Sequence, residues 1–112
     1  MDDLIKKHLQ DILTAIEEVE GFFGNAPKVY DDFYGNLCLR RAIERNIEII
    51  GEAMNRILKV DKDIAITNSR KIVDARNYII HGYDSLSVDI LWSMVINHLP
   101  KLRNEVITLL KT

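Results

Sequence analysis

Residues 3–23 read DLIKKHLQDILTAIEEVEGFF, and apolar side chains recur through them at alternating intervals of four and three residues. The series is Ile5, Leu9, Ile12, Ile16, Val19 and Phe23. This spacing lines one face of an α-helix, so it predicts a long amphipathic helix over the whole stretch. Asp2 or Asp3 is expected to cap its start, because a side-chain oxygen there can accept hydrogen bonds from the first backbone N–H groups.

A second long helix is predicted over residues 33–59, after a loop at residues 24–35. The same helical spacing recurs at Leu39, Ile43, Ile47, Ile50, Met54 and Ile57. Gly51 interrupts this helix at a cost of about 1 kcal/mol relative to alanine. A glycine at such a position indicates that another helix backbone approaches closely.

Two more helices complete the pattern. A short third helix is predicted to start at Asn68 or Ser69 and to end at Gly82, which is a typical C-terminal stop. A fourth is predicted after it, with Ser85 or Ser87 as its cap and a kink or break at Pro100. Four or five helices joined by short loops are typical of an antiparallel bundle, so the predicted fold is all-α, with a single domain over residues 1–112.

Composition supports this fold and limits the possible functions. The 112 residues are 47% hydrophobic and include only five glycines and two prolines, too few turn formers for an all-β sandwich. The net charge of −2 gives no global attraction to nucleic acid, so any such contact needs a local patch. The single Cys38 excludes an internal disulfide and is expected to be a small core residue. The acidic start and the lack of a long apolar run predict a soluble, cytoplasmic protein without contact to membranes.

The side chains best suited to binding or catalysis are concentrated in residues 76–83, which read RNYIIHGY. Asn77 and His81 are four residues apart and should share a helical face, whereas Arg76 and His81 are about 140° apart around the axis. Arginine can bind phosphate oxygens through its fork of donors, and histidine can act as a general acid or base near neutral pH. These residue types suit metal-free RNA cleavage, in which a base assists attack by the 2′-hydroxyl and a cation stabilises the transition state.

The same residues also allow structural roles. Arg76 can pair with Asp74, Asp84 or Glu52, and a histidine at a helix C-terminus can stabilise the helix dipole. His8 and His98 are expected to be partly buried structural residues, with no metal-ligand spacing to carboxylates.

The surface charges give further expectations. The exposed pairs expected at i, i+4 on the second helix are Arg40 with Glu44 and Glu52 with Arg56. Arg40, Arg41 and Arg45 form a basic cluster that is expected to be a solvated face, and contact with RNA phosphates is the less favoured alternative. Arg70 and Lys71 are better candidates for contacts to RNA phosphates, since they are closer in sequence to the motif.

The order of several motifs resembles the HepT-like family, part of the HEPN superfamily of helical ribonucleases. The residues that match the family's motifs are Arg76, Asn77, His81 and Tyr83, the Gly51-Glu52-Ala53 segment, Val88-Asp89 with Trp92, and Leu99-Pro100. Two positions depart from the family pattern, since Ser69 stands where many relatives have tryptophan and Asp74 where many have glycine.

The resemblance implies a homodimeric toxin of the MNT/HepT toxin–antitoxin type. In such pairs the Arg-x4-His motifs of two subunits form a cleft that cleaves RNA without a metal or another cofactor. Arg76 and His81 would then be catalytic and Asn77 supportive. The partner would be a nucleotidyltransferase antitoxin of the MNT type that adenylylates Tyr83.

Two other readings remain open at the level of sequence. The chain could be a non-catalytic helical module that binds nucleotides or regulates a nucleotidyltransferase. It could also be a structural dimerisation bundle, with Trp92 as a candidate for the dimer seam.

Overall fold

The computed structural model describes the backbone of residues 2–81 and 84–112, and the side chains of all of these except residues 84–87. The described residues form six α-helices: α1 (Asp3–Phe23), α2 (Tyr30–Tyr34), α3 (Leu37–Val60), α4 (Ser69–Ile80), α5 (Asp84–Ser93) and α6 (Leu99–Leu110). A π-helical turn over Met94–His98 joins α5 to α6. The predicted all-α fold is confirmed, and no helix within these described ranges is both long and apolar enough to cross a membrane.

The first helix has the predicted bounds and the predicted cap. Asp2 Oδ1 accepts hydrogen bonds from the backbone N–H groups of Leu4 at 2.7 Å and Ile5 at 3.3 Å. The chain leaves α1 at Gly24, which adopts a positive φ of 59° that an L side chain would disfavour. The entire apolar stripe of α1 up to Val19 is buried in the core.

The prediction of one helix over residues 33–59 was wrong at its start. The short helix α2 ends at Tyr34, and α3 begins at Leu37 with Asn36 as its cap. Asn36 Oδ1 accepts a hydrogen bond of 3.0 Å from the backbone N–H of Leu39. Asparagine can satisfy the first N–H groups of a new helix in this way, so the chain ends one helix and starts another within three residues.

The core forms where α1 packs on α3 and α6, and α3 packs on α4. Buried Asn46 of α3 crosses to α1, where its Nδ2 donates to the Ala15 carbonyl at 3.0 Å and to Glu18 Oε1 at 2.9 Å. Near the other end of α3, Ala53 lines a surface recess with His8 from the start of α1. Residues late in α3 thus lie beside residues early in α1, so these two helices run antiparallel.

Gly51 permits the close contact between α3 and α4 that its position predicted. A Cβ built on Gly51 would lie 2.4 Å from Arg76 Cβ and 3.3 Å from the Ile72 carbonyl oxygen. Real Cβ atoms essentially never come as close to another carbon as the contact with Arg76 Cβ would require, so a side chain at residue 51 would force a shift. The glycine therefore lets α4 rest on α3 with Arg76 at the contact.

The last helical run is interrupted just before Pro100, as predicted. The Leu99 N–H donates to the Met94 carbonyl five residues back, which is the π-helical pattern. Pro100 has no N–H to continue regular pairing. Ser85 and Ser87, predicted as possible caps, lie inside α5 because the helix already begins at Asp84.

Two local expectations in the first turns of α3 were wrong. Cys38 is exposed rather than part of the core, because the buried stretch of α3 starts only at Ile43. Glu44 pairs with Arg41 at 2.8 Å instead of with Arg40. The Arg40 guanidinium lies over the ring of Tyr34, with its Cζ 5.8 Å from the ring centroid.

Candidate functional site

Arg76 lies on the side of α4 that faces α3 and is held there by two contacts. Its Nη2 forms an ion pair of 2.8 Å with Glu52 Oε2, and its Nη1 donates a hydrogen bond of 3.2 Å to Asn77 Oδ1. The Arg76 side chain keeps only 26% of its surface exposed. The ion pair with Glu52 was one of the structural partnerships that the sequence allowed, and the structure confirms that pair.

Glu52 connects Arg76 to a second arginine. Its other oxygen, Oε1, accepts a hydrogen bond of 3.0 Å from Arg56 Nε, which confirms the predicted i, i+4 pair. The hydrogen bond from Arg56, aided by the positive charge of Arg76, lowers the pKa of the Glu52 carboxyl below its ordinary value, although desolvation acts in the opposite direction. Glu52 is therefore ionised at neutral pH and attracts the guanidinium of Arg76.

His81 occupies the end of α4, where the helix stops. Its backbone N–H donates to the Asn77 carbonyl at 3.1 Å, and its side chain is exposed. A groove of about 400 Å³ is lined by Asp74, Asn77, Tyr78 and His81, and we call it the His81 groove. The predicted shared face of Asn77 and His81 is thereby confirmed.

Within one chain, Arg76 and His81 face different sides of α4. Arg76 contacts α3, whereas His81 lines the His81 groove. Asn77 accepts a hydrogen bond from Arg76 and also lines the groove. Tyr83, the predicted modification site, lies outside the described residues, as does Gly82. The structure therefore locates Arg76, Asn77 and His81, and their meeting with a second subunit stays a prediction.

Two residues gain importance that sequence reasoning did not give them. Glu52 was one of three possible partners of Arg76 in the sequence. Its place directly after Gly51 was the signal that could have singled it out, because a helix contact at residue 51 brings the next residue close to the same interface. Asp74 was expected only as a possible partner of Arg76 and as a departure from the family pattern, and it lies inside the His81 groove.

The other two histidines, His8 and His98, differ in how deeply they are buried. His8 is 7% exposed on the inner side of α1, as a structural residue would be. His98 is half-buried and ends the π-helical turn. Among the residues that the structure describes, no group of three or more His, Cys, Asp or Glu side chains could hold a metal ion.

The predicted surface and seam residues also have clear positions. Arg45 pairs with Glu48 at 3.5 Å, in line with a solvated face. Trp92 is partly buried, and its ring centroid lies 5.2 Å from that of Phe33 and 5.6 Å from that of Tyr30. Trp92 is thus at least in part a packing residue that joins α5 to α2.

Comparison with known proteins assigns the family. The family model described as "Ribonuclease HepT-like" matches residues 12–109. A putative RNase of Methanocaldococcus jannaschii is 34% identical over 104 residues, which cover 91% of this chain and 93% of the relative. The "Probable ribonuclease HepT" of Thermococcus cleftensis is 32% identical over 101 residues, covering 89% of this chain and 90% of the relative. No solved structure gives a significant match.

The helical bundle and the family match over residues 12–109 together define the class of protein. The chain belongs to the HepT-like ribonuclease family. The resemblance noted from the motifs is confirmed at this level.

Proposed function

We propose that this protein is a metal-independent endoribonuclease and the toxin of a toxin–antitoxin pair, with Arg76 and His81 as its catalytic residues. The observation that carries the proposal is the position of Asn77. It accepts a hydrogen bond from Arg76 and lines the same groove as His81. A guanidinium and an imidazole are therefore organised on either side of one asparagine, in a chain whose family is ribonucleolytic.

The proposed reaction is transesterification of the RNA backbone. The neutral imidazole of His81 takes the proton of a 2′-hydroxyl, and O2′ forms a bond to phosphorus while the bond from phosphorus to O5′ breaks. The leaving O5′ takes a proton from an imidazolium or from water. The products are a 2′,3′-cyclic phosphate and a 5′-hydroxyl. Arg76 stabilises the negative charge that develops on the phosphate oxygens, and Asn77 keeps the guanidinium oriented.

The complete site is proposed to form between two copies of the chain. Arg76 and His81 point to different sides of α4 in one copy, so a second copy is the simplest source of the missing partner for each. The proposed cleft would then hold Arg76 from one subunit close to His81 from the other. The cytoplasm is the compartment in which such an enzyme would meet its RNA.

The proposed inhibitor is a nucleotidyltransferase antitoxin that modifies Tyr83. The phenol of Tyr83 would lose its proton to the solvent, its oxygen would bond to the α-phosphorus of ATP, and the bond from that phosphorus to the leaving pyrophosphate would break. An adenylate adds bulk and negative charge two residues from His81, where it would repel an RNA phosphate. This part of the proposal depends on the family and on the position of Tyr83 in the sequence.

The test is cleavage of single-stranded RNA in EDTA by protein produced without an antitoxin. We expect wild-type protein to give 2′,3′-cyclic phosphate ends, and Arg76→Ala and His81→Ala to lose cleavage by about 100-fold or more. Arg45→Ala is the matched control, because Arg45 is an exposed arginine paired with a glutamate on α3. Circular dichroism checks that all variants remain helical.

The alternative function, a non-catalytic nucleotide-binding or regulatory subunit, gives the opposite result. Such a protein would bind nucleotides while its RNA stays intact. Equal cleavage by wild type, Arg76→Ala and His81→Ala would instead assign the activity to another site or to a contaminant, and either result would reject the proposal.

A further inference from the structure

The His81 groove continues into a second recess along α4. This recess is about 210 Å³ in volume and shares Asp74 and Tyr78 with the His81 groove. Its far end is marked by Lys71 and His98, and its apolar lining comes from Ala75, Ile90 and Met94. Together the two recesses form one surface, which we call the α4 groove, running from His81 past Asp74 and Tyr78 to His98.

Asp74 is the residue of the α4 groove that most restricts which ligand group can bind there. Its side chain is exposed, and no hydrogen bond or ion pair joins its carboxylate to another residue that the structure describes. An ionised carboxylate only accepts hydrogen bonds and repels phosphate. A ligand group beside Asp74 should therefore be a hydrogen-bond donor and should not be an RNA phosphate.

Tyr78 supplies a surface for a flat ligand. It is 44% exposed and lies between Asp74 and His81 on the same face of α4. Exposed aromatic rings commonly stack on unpaired bases in complexes with single-stranded RNA. The apolar lining of the recess also suits the face of a base, while Lys71 at its edge suits a phosphate.

The spacing along α4 fits a nucleotide that is bound next to the cleavage point. Asp74 and His81 are seven residues apart, which is about 10 Å along a helix axis. A backbone phosphate near His81 would then leave its neighbouring base within reach of Tyr78 and Asp74.

We propose that the α4 groove is a nucleobase-binding subsite in which Asp74 recognises guanine beside the cleaved phosphate. Guanine presents two adjacent donors, N1–H and the N2 amino group, to the two oxygens of a carboxylate. Adenine and cytosine present an amino group beside an acceptor nitrogen, and uracil presents one N–H between two carbonyls, so each matches a carboxylate less well. This inference rests on the proposed RNA cleavage and adds a base preference to it.

Binding of non-cleavable oligonucleotides tests the subsite separately from catalysis. We use 2′-O-methyl oligonucleotides that differ at one position, which carries guanine, inosine, adenine or uracil. Inosine lacks only the N2 amino group, and wild-type protein should bind it about tenfold more weakly than guanine. In Asp74→Asn the two should bind within about twofold, because an amide cannot accept both donors.

Two control variants distinguish recognition from other effects. Asp63→Asn removes one exposed carboxylate from the loop before α4 and should leave the preference for guanine over inosine unchanged. Tyr78→Leu should weaken binding of all four oligonucleotides while the mass of the particle in solution stays the same. Thermal unfolding shows whether each variant is folded.

Several outcomes would overturn the subsite. Equal binding of guanine and inosine by wild type would do so, as would the same loss of preference in Asp63→Asn. A change of oligomeric mass in Tyr78→Leu would assign the groove to a second copy of the chain. Cleavage without base preference would reject only the subsite, and guanine preference without cleavage would reject only the proposed catalysis.

Discussion

Arg76 is oriented by the carboxylate of Glu52 together with the amide oxygen of Asn77. Glu52 Oε2 holds Nη2 at 2.8 Å, and Arg56 occupies the other oxygen of the same carboxylate. A guanidinium fixed in this way can meet a phosphate without first being ordered, which lowers the entropic cost of reaching the transition state. The ion pair is also an obstacle, because a phosphate must compete with Glu52 for the same donors.

Glu52→Gln tests which of these effects is larger. We expect kcat to fall about 10- to 100-fold, because misplacement of a catalytic group is costly, with a smaller change in KM. Glu48→Gln is the matched control, since Glu48 lies one turn earlier on α3 and pairs with Arg45. Steady-state kinetics on a short RNA give both constants. Unchanged or faster cleavage by Glu52→Gln would show that the pair restrains Arg76.

The ionisation of Glu52 also predicts a pH dependence of stability. Its pKa in the folded protein is lowered from 4.5, mainly by the hydrogen bond from Arg56. The carboxylate therefore stabilises the fold above the ordinary pKa, and this contribution is lost as the pH falls through the lowered value. Urea unfolding at neutral and at acid pH should show a larger loss for wild type than for Glu52→Gln. Identical losses would contradict the prediction.

Gly51 is the residue on which the contact between α3 and α4 depends. Gly51→Ala should cost about 1–3 kcal/mol by overpacking, because the new Cβ would overlap Arg76 Cβ and α4 would have to move. Gly21→Ala is the control within α1, where nothing lies within 4 Å of the new Cβ, and it should stabilise by up to about 1 kcal/mol. Chemical denaturation measures both. A stabilised Gly51→Ala would mean that the helices do not touch there.

At the scale of helices, a hydrogen bond ties α2 to α5. Tyr30 Oη donates to Asp89 Oδ1 at 2.8 Å, and this bond raises the pKa of the Tyr30 phenol above its ordinary value of 10.0. The contribution of the neutral phenol to stability is present below the ordinary pKa and is lost as the pH rises through the raised value.

Tyr30→Phe should therefore lower the melting temperature modestly at neutral pH and reduce its decline at alkaline pH. Tyr34→Phe is the control, because Tyr34 is exposed on the same short helix. Trp92 fluorescence can report the transition, since its ring packs edge-on against Tyr30. Equal shifts in both variants would show that the bond to Asp89 contributes nothing specific.

The helices themselves were largely predictable from the sequence, because burial of an apolar stripe leaves a periodic pattern. The bounds of α1 follow from the spacing of its apolar residues, whereas the interruption before Pro100 and the close contact at Gly51 each follow from a single residue. The break between α2 and α3 did not follow, since it depends on whether Asn36 caps a new helix, and that choice is made by a single hydrogen bond. The partner of Arg76 was predictable only as one of three carboxylates, because the choice depends on how α4 packs against α3.

At the scale of the whole molecule, the positions of Arg76 and His81 on different sides of α4 raise the question of how many copies make one site. A net charge of −2 gives no broad electrostatic attraction to RNA, so binding must come from a few hydrogen-bond donors and cations at one place. A two-fold axis that brings two α4 helices together would double the cations at one place without changing the charge per chain. The family match does not determine this geometry, but a mixing experiment does.

Mixing of Arg76→Ala with His81→Ala is expected to restore cleavage. Each variant alone lacks one catalytic group in every site, whereas a mixed dimer pairs the Arg76 of one subunit with the His81 of the other. If subunits exchange at random, half of the dimers are mixed and each has one intact site, so activity should reach about a quarter of wild type. Mixing each variant with itself at the same total concentration is the control. No recovery, with subunit exchange confirmed by mass measurement, would show that each site takes both residues from one chain or needs all four.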